Sequence, residues 1–179
     1  MTLLEAISPT SRVILAENSP AMMDVMHDVF ELLKKTKDKA AASDWTIDYK
    51  LAWLTGRVGD IANTTRRRDA VRHAACAAVA WLASQHLSDM DILSRIAEER
   101  IRQRKLFAAR EHSFRVDSPI VDWTRKLRML VKEVGGVAAA IDRLEKSPRS
   151  KDFKRHFIQE LVQVAAVAVA WLESFEVES

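Results

Sequence analysis

The sequence predicts an all-α fold of about six helices, and three observations carry that expectation. Only four Gly and four Pro punctuate 179 residues. That is too few for the turns of a many-stranded sheet, whereas the strong helix formers Ala, Leu, Glu, Lys and Arg are abundant. From Lys151 onward the apolar residues Phe157, Leu161, Val164, Ala168, Trp171 and Phe175 recur at alternating steps of four and three, which is one face of a helix and not the alternation of a strand. Helix-start signals also recur along the chain, as a Ser followed by Pro or by an acid three residues on.

Taken in order, Ser19 and Pro20 read as an N-cap and a first helical position, opening a helix that runs to about Lys39. A second helix is expected to start near Asp44, and a third carries the alanine-rich stretch beyond Arg66. Ser88 with Asp91 resembles a capping box and opens the fourth. Ser118 with Pro119 reads as the start of the fifth, and Ser147 with Pro148 separates the fifth from the sixth. Residues 1–18 carry no signal that assigns them a structure.

Composition bounds the function classes. Hydrophobic residues make up 48% and charged residues 30% of the chain, the balance of a globular protein able to bury a core. The single cysteine, Cys76, lies among alanines, so neither a disulfide framework nor a cysteine zinc site is available. No basic leader precedes an apolar block at the N-terminus. The longest uncharged apolar run, Val164 to Leu172, is about half of the roughly 20 residues needed to span a bilayer. A cytoplasmic location without a membrane partner is therefore expected. The formal charge of +3 permits contact with polyanions without requiring it.

The chain repeats itself. "HAACAAVAWLAS" (73–84) returns as "QVAAVAVAWLES" (163–174), 90 residues later, with Trp81 matching Trp171 and Ser84 matching Ser174. Upstream, "DWT" (44–46) returns as "DWT" (122–124), pairing Trp45 with Trp123, and "LAWLTGRVGDIA" from Leu51 lines up with "LRMLVKEVGGVA" from Leu127. Agreement outside the Ala/Val tract argues for a degenerate tandem repeat rather than for shared composition. Each copy would be three helices, with residues 19–87 forming the first and 88–179 the second, in one compact domain.

The second half, through "IAEERIRQRKLF", "DWTRKLRMLVKEVGGVAAAI" and "HFIQELVQVAAVAVAWLES", resembles the MazG-like all-α nucleoside triphosphate pyrophosphohydrolases, and 23–85 looks like a more decayed copy. The resemblance covers about 91–174 and is most specific in "ELVQVAAVAVAWLE". It implies a nucleotide ligand and magnesium held by Glu-x-x-Glu on the middle helix and Glu-x-x-Asp on the closing helix. Carboxylates three residues apart share one helical face, which is why metal holding favours that spacing. The family forms dimers or higher oligomers, so the tandem copy implies an internal pseudo-dimer, and a homo-oligomer of the whole chain is also open.

Carried over residue by residue, Glu133 and Glu160 match the first acid of each pair, while Gly136 and Gln163 stand where the second acids belong. In the first copy Arg57, Asp60, Ala70 and His73 occupy the four positions. Four carboxylates neutralise two Mg²⁺ ions, but Glu133 and Glu160 neutralise one, and the Gln163 amide adds an oxygen without charge. The catalytic expectation therefore rests on Glu133 and Glu160, with Glu98 or Glu99 and Gln163 as further metal ligands. Arg66, Arg67, Arg102 and Arg104 lie in basic runs that could meet phosphates. No nucleic-acid-binding motif surrounds either run, so nucleic acid is not the expected partner. Three functions stay open on the sequence alone: a divergent Mg²⁺-dependent pyrophosphohydrolase, a pseudoenzyme that binds a nucleotide or other phosphate ligand without turnover, and a helical interaction scaffold.

Overall fold

The computed structural model describes residues 20–40, 45–109 and 115–176. Those residues form six helices and no strand: α1 (Pro20–Ala40), α2 (Ile47–Ala62), α3 (Arg67–Ala83), α4 (Asp89–Ala108), α5 (Trp123–Lys146) and α6 (Lys151–Glu176). The fold is all-α, as the composition and spacing predict.

Most helix starts follow the local chemistry. Pro20 is the first residue of α1, while Ser19 lies outside the described residues. Thr46 caps α2, its hydroxyl accepting the Tyr49 N–H at 3.2 Å; Asp44 lies outside the described residues. At α4 the capping box is complete. Ser88 Oγ accepts the Asp91 N–H at 3.1 Å, and the Asp91 carboxylate accepts the Ser88 N–H at 3.2 Å.

Ser118 and Pro119 do not open a helix. Their segment is closed by turns, the Ser118 N–H donating to the Arg115 carbonyl and the Val121 N–H to that of Ser118, and α5 starts at Trp123 behind Asp122. The β-branched pair Ile120 and Val121 after the proline resists a first helical turn.

The two alanine-rich helices form the centre of the fold. In α3 every residue from Ala70 to Leu82 is buried except Arg72 and His73, and in α6 every residue from Leu161 to Ser174 is buried except Gln163. Helices apolar all round must be enclosed, and small side chains let their axes approach closely. α3 and α6 run antiparallel. Trp81 at the end of α3 meets Phe157 near the start of α6 edge-on, with ring centroids 5.5 Å apart, and Arg68 at the start of α3 pairs with Glu176 at the end of α6. Around this pair, α2 packs on α3 as α5 packs on α6, and α1 packs on α3 as α4 packs on α6. By length and composition α6 could cross a membrane, but most of its apolar stretch is enclosed by the other helices.

Matching polar anchors recur in the two halves. Lys50 Nζ donates to Ser84 Oγ at 3.1 Å, and that hydroxyl donates to the Trp81 carbonyl at 2.7 Å. Lys126 Nζ donates to Ser174 Oγ at 2.6 Å, and that hydroxyl donates to the Trp171 carbonyl at 2.6 Å. Lys50 and Lys126 share the register that aligns Leu51 with Leu127, and in it the N-caps Thr46 and Asp122 also coincide. The pairing of Trp45 with Trp123 is displaced by two residues from that register. Trp45 precedes its cap and packs on Tyr49 and Trp53, with centroids 4.5 and 5.4 Å apart, whereas Trp123 is the first residue of α5 and lies beneath the Arg67 guanidinium.

Candidate functional site

Gln163 is the one residue of the central α6 tract left partly open, and the carboxylates of Glu133 and Glu160 meet at it. In the amide orientation that satisfies hydrogen bonding, its nitrogen donates to Glu133 Oε2 at 3.0 Å and to Glu160 Oε2 at 3.2 Å. Gly136, one turn along α5 from Glu133, allows this: a Cβ there would overlap the Glu160 carboxylate. The missing acid at 136 and the position of Glu160 are thus one structural fact. Lys132 Nζ lies 3.6 Å from Glu133 Oε1, and His156 Nε2 lies 3.6 Å from Glu160 Oε1. Burial pushes the Glu133 carboxyl up; Lys132 opposes the shift, while the charges of Glu160 and Glu99 add to it.

Glu99 comes from α4 and is buried. Arg102 grips it with two hydrogen bonds of 2.7 Å, Gln103 donates to it at 3.1 Å and Gln159 at 3.3 Å. A buried carboxylate so fully paired is a rigid holder for Arg102. Glu98, by contrast, is exposed and accepts from Ser94. Glu99, Arg102, Arg104, Phe107, Glu133 and Gln163 are among the residues lining a cavity of about 280 Å³ between α4, α5 and α6.

The same cavity has a basic wall. The buried Arg100 donates to Asp117 at 3.0 Å and to Glu173 at 3.2 Å, Arg104 reaches Glu173 at 2.8 Å and Asp117 at 3.3 Å, and Arg115 reaches Asp117 at 2.8 Å. Burial pushes the Asp117 carboxyl up, but the Arg115 hydrogen bonds and the charges of Arg100, Arg115 and Arg104 outweigh it and hold it at about 2. Sequence reasoning missed this cluster. The available signal was Glu173, an acid inside the second apolar tract where the first has Ala83.

In the first copy, the corresponding positions hold no acid pair. Arg57 and Asp60 form an exposed ion pair at 3.3 Å, and His73 Nδ1 lies 2.7 Å from the Asp69 carbonyl. Arg66 and Arg67 are not at the cleft either. They line a different cavity that shares no residue with the first, so the structure divides the four expected phosphate-binding arginines into two pairs.

Whether the cleft fits magnesium depends on Gln163. Among the described residues no group of three or more His, Cys, Asp or Glu is placed to hold a metal ion. With the amide turned over, however, its oxygen would stand 3.0 and 3.2 Å from the two carboxylate oxygens. Adjacent oxygens around an octahedral Mg²⁺ with bonds of about 2.1 Å lie roughly 3.0 Å apart. Glu133, Glu160 and Gln163 therefore offer hard oxygen donors and the negative charge for one such ion, and not for two.

Fold and cleft together define a class: an all-α protein with a half-buried pocket that is acidic at one end and arginine-lined at the other. The chain matches no protein-family model, no curated protein and no solved structure.

Proposed function

We propose that this chain is a MazG-like nucleotide-binding protein, a divergent Mg²⁺-dependent nucleoside triphosphate pyrophosphohydrolase whose site is the cleft between α4, α5 and α6. The observation that carries the reading is the convergence of Glu133 and Glu160 on Gln163, with Glu133 and Gln163 lining one end of a cavity whose other wall is arginine. Glu133, Glu160 and the Gln163 oxygen would hold the ion. When bound, Mg²⁺ supplies charge that neutralises the phosphate chain and lowers the pKa of water.

The protein's own part is positional. Glu99 fixes Arg102, and Arg102 and Arg104 line the cavity where phosphates would lie. With Oε2 turned to the ion, Glu133 would keep Oε1, 3.6 Å from Lys132 Nζ, to accept a proton from an attacking water. Water and triphosphate would yield the monophosphate and pyrophosphate.

A second reading, a pseudoenzyme that senses or binds the ligand without turnover or serves as a scaffold, is favoured by Gly136 and Gln163, which remove two negative charges from the acid set. Incubating the protein with each NTP and dNTP and Mg²⁺ or Mn²⁺, and measuring pyrophosphate, separates the two. Release that is lost in both Glu133→Gln and Glu160→Gln supports the enzyme. Absence of release with retained nucleotide binding supports the pseudoenzyme, and absence of both leaves the scaffold.

A further inference from the structure

We infer that the cavity at the start of α3 is a second anion site, one that takes a phosphate group of a small molecule through Arg66 and Arg67 without a metal ion. The cavity measures about 490 Å³ and lies between the start of α3, the start of α5 and the end of α6. One difference between the two copies falls in its lining. In the 90-residue register of the two alanine-rich helices, Arg67 stands where the other copy has Phe157. Phe157 is fully buried against Trp81. At the matching place Arg67 leans on Trp123 instead, its Cζ 4.3 Å from the ring centroid, and it lines the cavity together with the buried Trp171.

The charges around this space are poorly balanced. Arg66, Arg67 and Arg68 occupy the N-terminal end of α3, where the helix dipole already places positive charge and favours anions. Arg66 has no side-chain cap to offer. Arg68 pairs with Glu176, but neither Arg66 nor Arg67 pairs with a carboxylate among the described residues, and Arg67 Nε is shut from solvent without a hydrogen-bond partner there. Lys126, 3% exposed and bonded to Ser174, adds a buried ammonium to the lining. Asp122 is the one carboxylate among the described lining residues. Asp69, the acid of the first turn, is taken by Arg72 at 3.5 Å, so the departure from the helix-terminus charge rule stands at Arg66 and Arg67, and two guanidiniums beside an indole suit a phosphate. The site is independent of the acidic cleft.

The test is a thermal-shift and calorimetric titration of the full chain with pyrophosphate and with ATP in EDTA, which silences any metal-dependent binding in the cleft. Both ligands are expected to stabilise the wild type and the Glu133→Gln, Glu160→Gln double variant equally. In Arg66→Ala, Arg67→Ala the affinity is expected to fall at least about ten-fold. Arg66→Ala alone is expected to weaken binding without lowering Tm in phosphate-free buffer, because it removes an unfavourable charge and leaves the Arg67–Trp123 stack intact. Binding kept by the arginine double variant, or lost in the glutamate one, overturns the inference. So does a shift produced by a short oligothymidylate but not by pyrophosphate or ATP, which would assign the arginines to nucleic acid.

Discussion

Gly136 and Glu160 share one space: the glycine on α5 leaves room that the Glu160 carboxylate from α6 fills. Gly136→Ala therefore forces the carboxylate aside while adding a better helix former, worth up to about 1 kcal/mol. Stability is expected to change by less than about 1 kcal/mol, because the displaced group is the end of a flexible side chain, while Mg²⁺-dependent nucleotide affinity falls about ten-fold. Thermal melts and calorimetry on the same sample check both parts. Unchanged affinity would mean that the position of Glu160 does not matter to the ligand.

Glu133 gives a stability prediction with a definite sign. Its folded carboxyl is raised above the ordinary value by burial, with the charges of Glu160 and Glu99 adding to the effect. Its contribution to stability is thus complete below the unfolded pKa and is lost as pH rises through the folded one. At neutral pH the ionised group is a burden, so Glu133→Gln is expected to raise Tm at pH 7, with the gain vanishing in acid. A loss of stability at pH 7 would show that the carboxylate is paired more strongly than this structure indicates.

Asp117 behaves in the opposite sense. Its carboxyl is held at about 2, below the ordinary aspartate value, so its stabilisation is present above the unfolded value and disappears as pH falls from about 4 towards 2. Asp117→Asn leaves the buried Arg100 with Glu173 as its remaining carboxylate and is expected to cost on the order of 2 to 3 kcal/mol at pH 7. Chemical denaturation at pH 7 and pH 3 measures the cost, which should shrink at the lower pH.

The two lysine–serine anchors make a ranked pair. Ser174 is buried and bonded to Lys126, itself buried, so Ser174→Ala is expected to cost about 1 to 2 kcal/mol. Ser84 and Lys50 are only partly buried, and Ser84→Ala should cost about half as much, since water can replace the lost partner. Equal costs in urea melts would deny that burial sets the difference.

Periodicity and caps made most of the fold legible, because an apolar stripe of alternating four- and three-residue steps and a serine followed by Asp91 are local signals read without neighbours. Ser118–Pro119 misled because the same local pattern serves turns as well as helix starts, and the β-branched Ile120 and Val121 decide between them. The repeat was legible in the apolar tract, where packing holds the letters, but misregistered at the tryptophans before each middle helix. Glu133 and Glu160 could be named from the resemblance alone, since Gly136 and Gln163 break the paired-acid spacing. Their meeting at Gln163 could not, since it depends on the α5–α6 crossing and on an absent side chain at 136. The Arg100–Asp117–Glu173 cluster joins residues 17 and 73 positions apart, beyond the reach of any local pattern. Arg66 and Arg102 look alike in sequence, and only packing sends them to different cavities.

Calorimetry of Mg²⁺ with each nucleoside triphosphate, with the heats in EDTA subtracted, reads the cleft most directly. The expected result is one Mg²⁺-dependent site per chain for at least one nucleotide, with Kd below about 1 mM, abolished in the Glu133→Gln, Glu160→Gln variant while its melting transition stays cooperative. No Mg²⁺-dependent heat for any nucleotide, or heat that the double variant leaves unchanged, would contradict it.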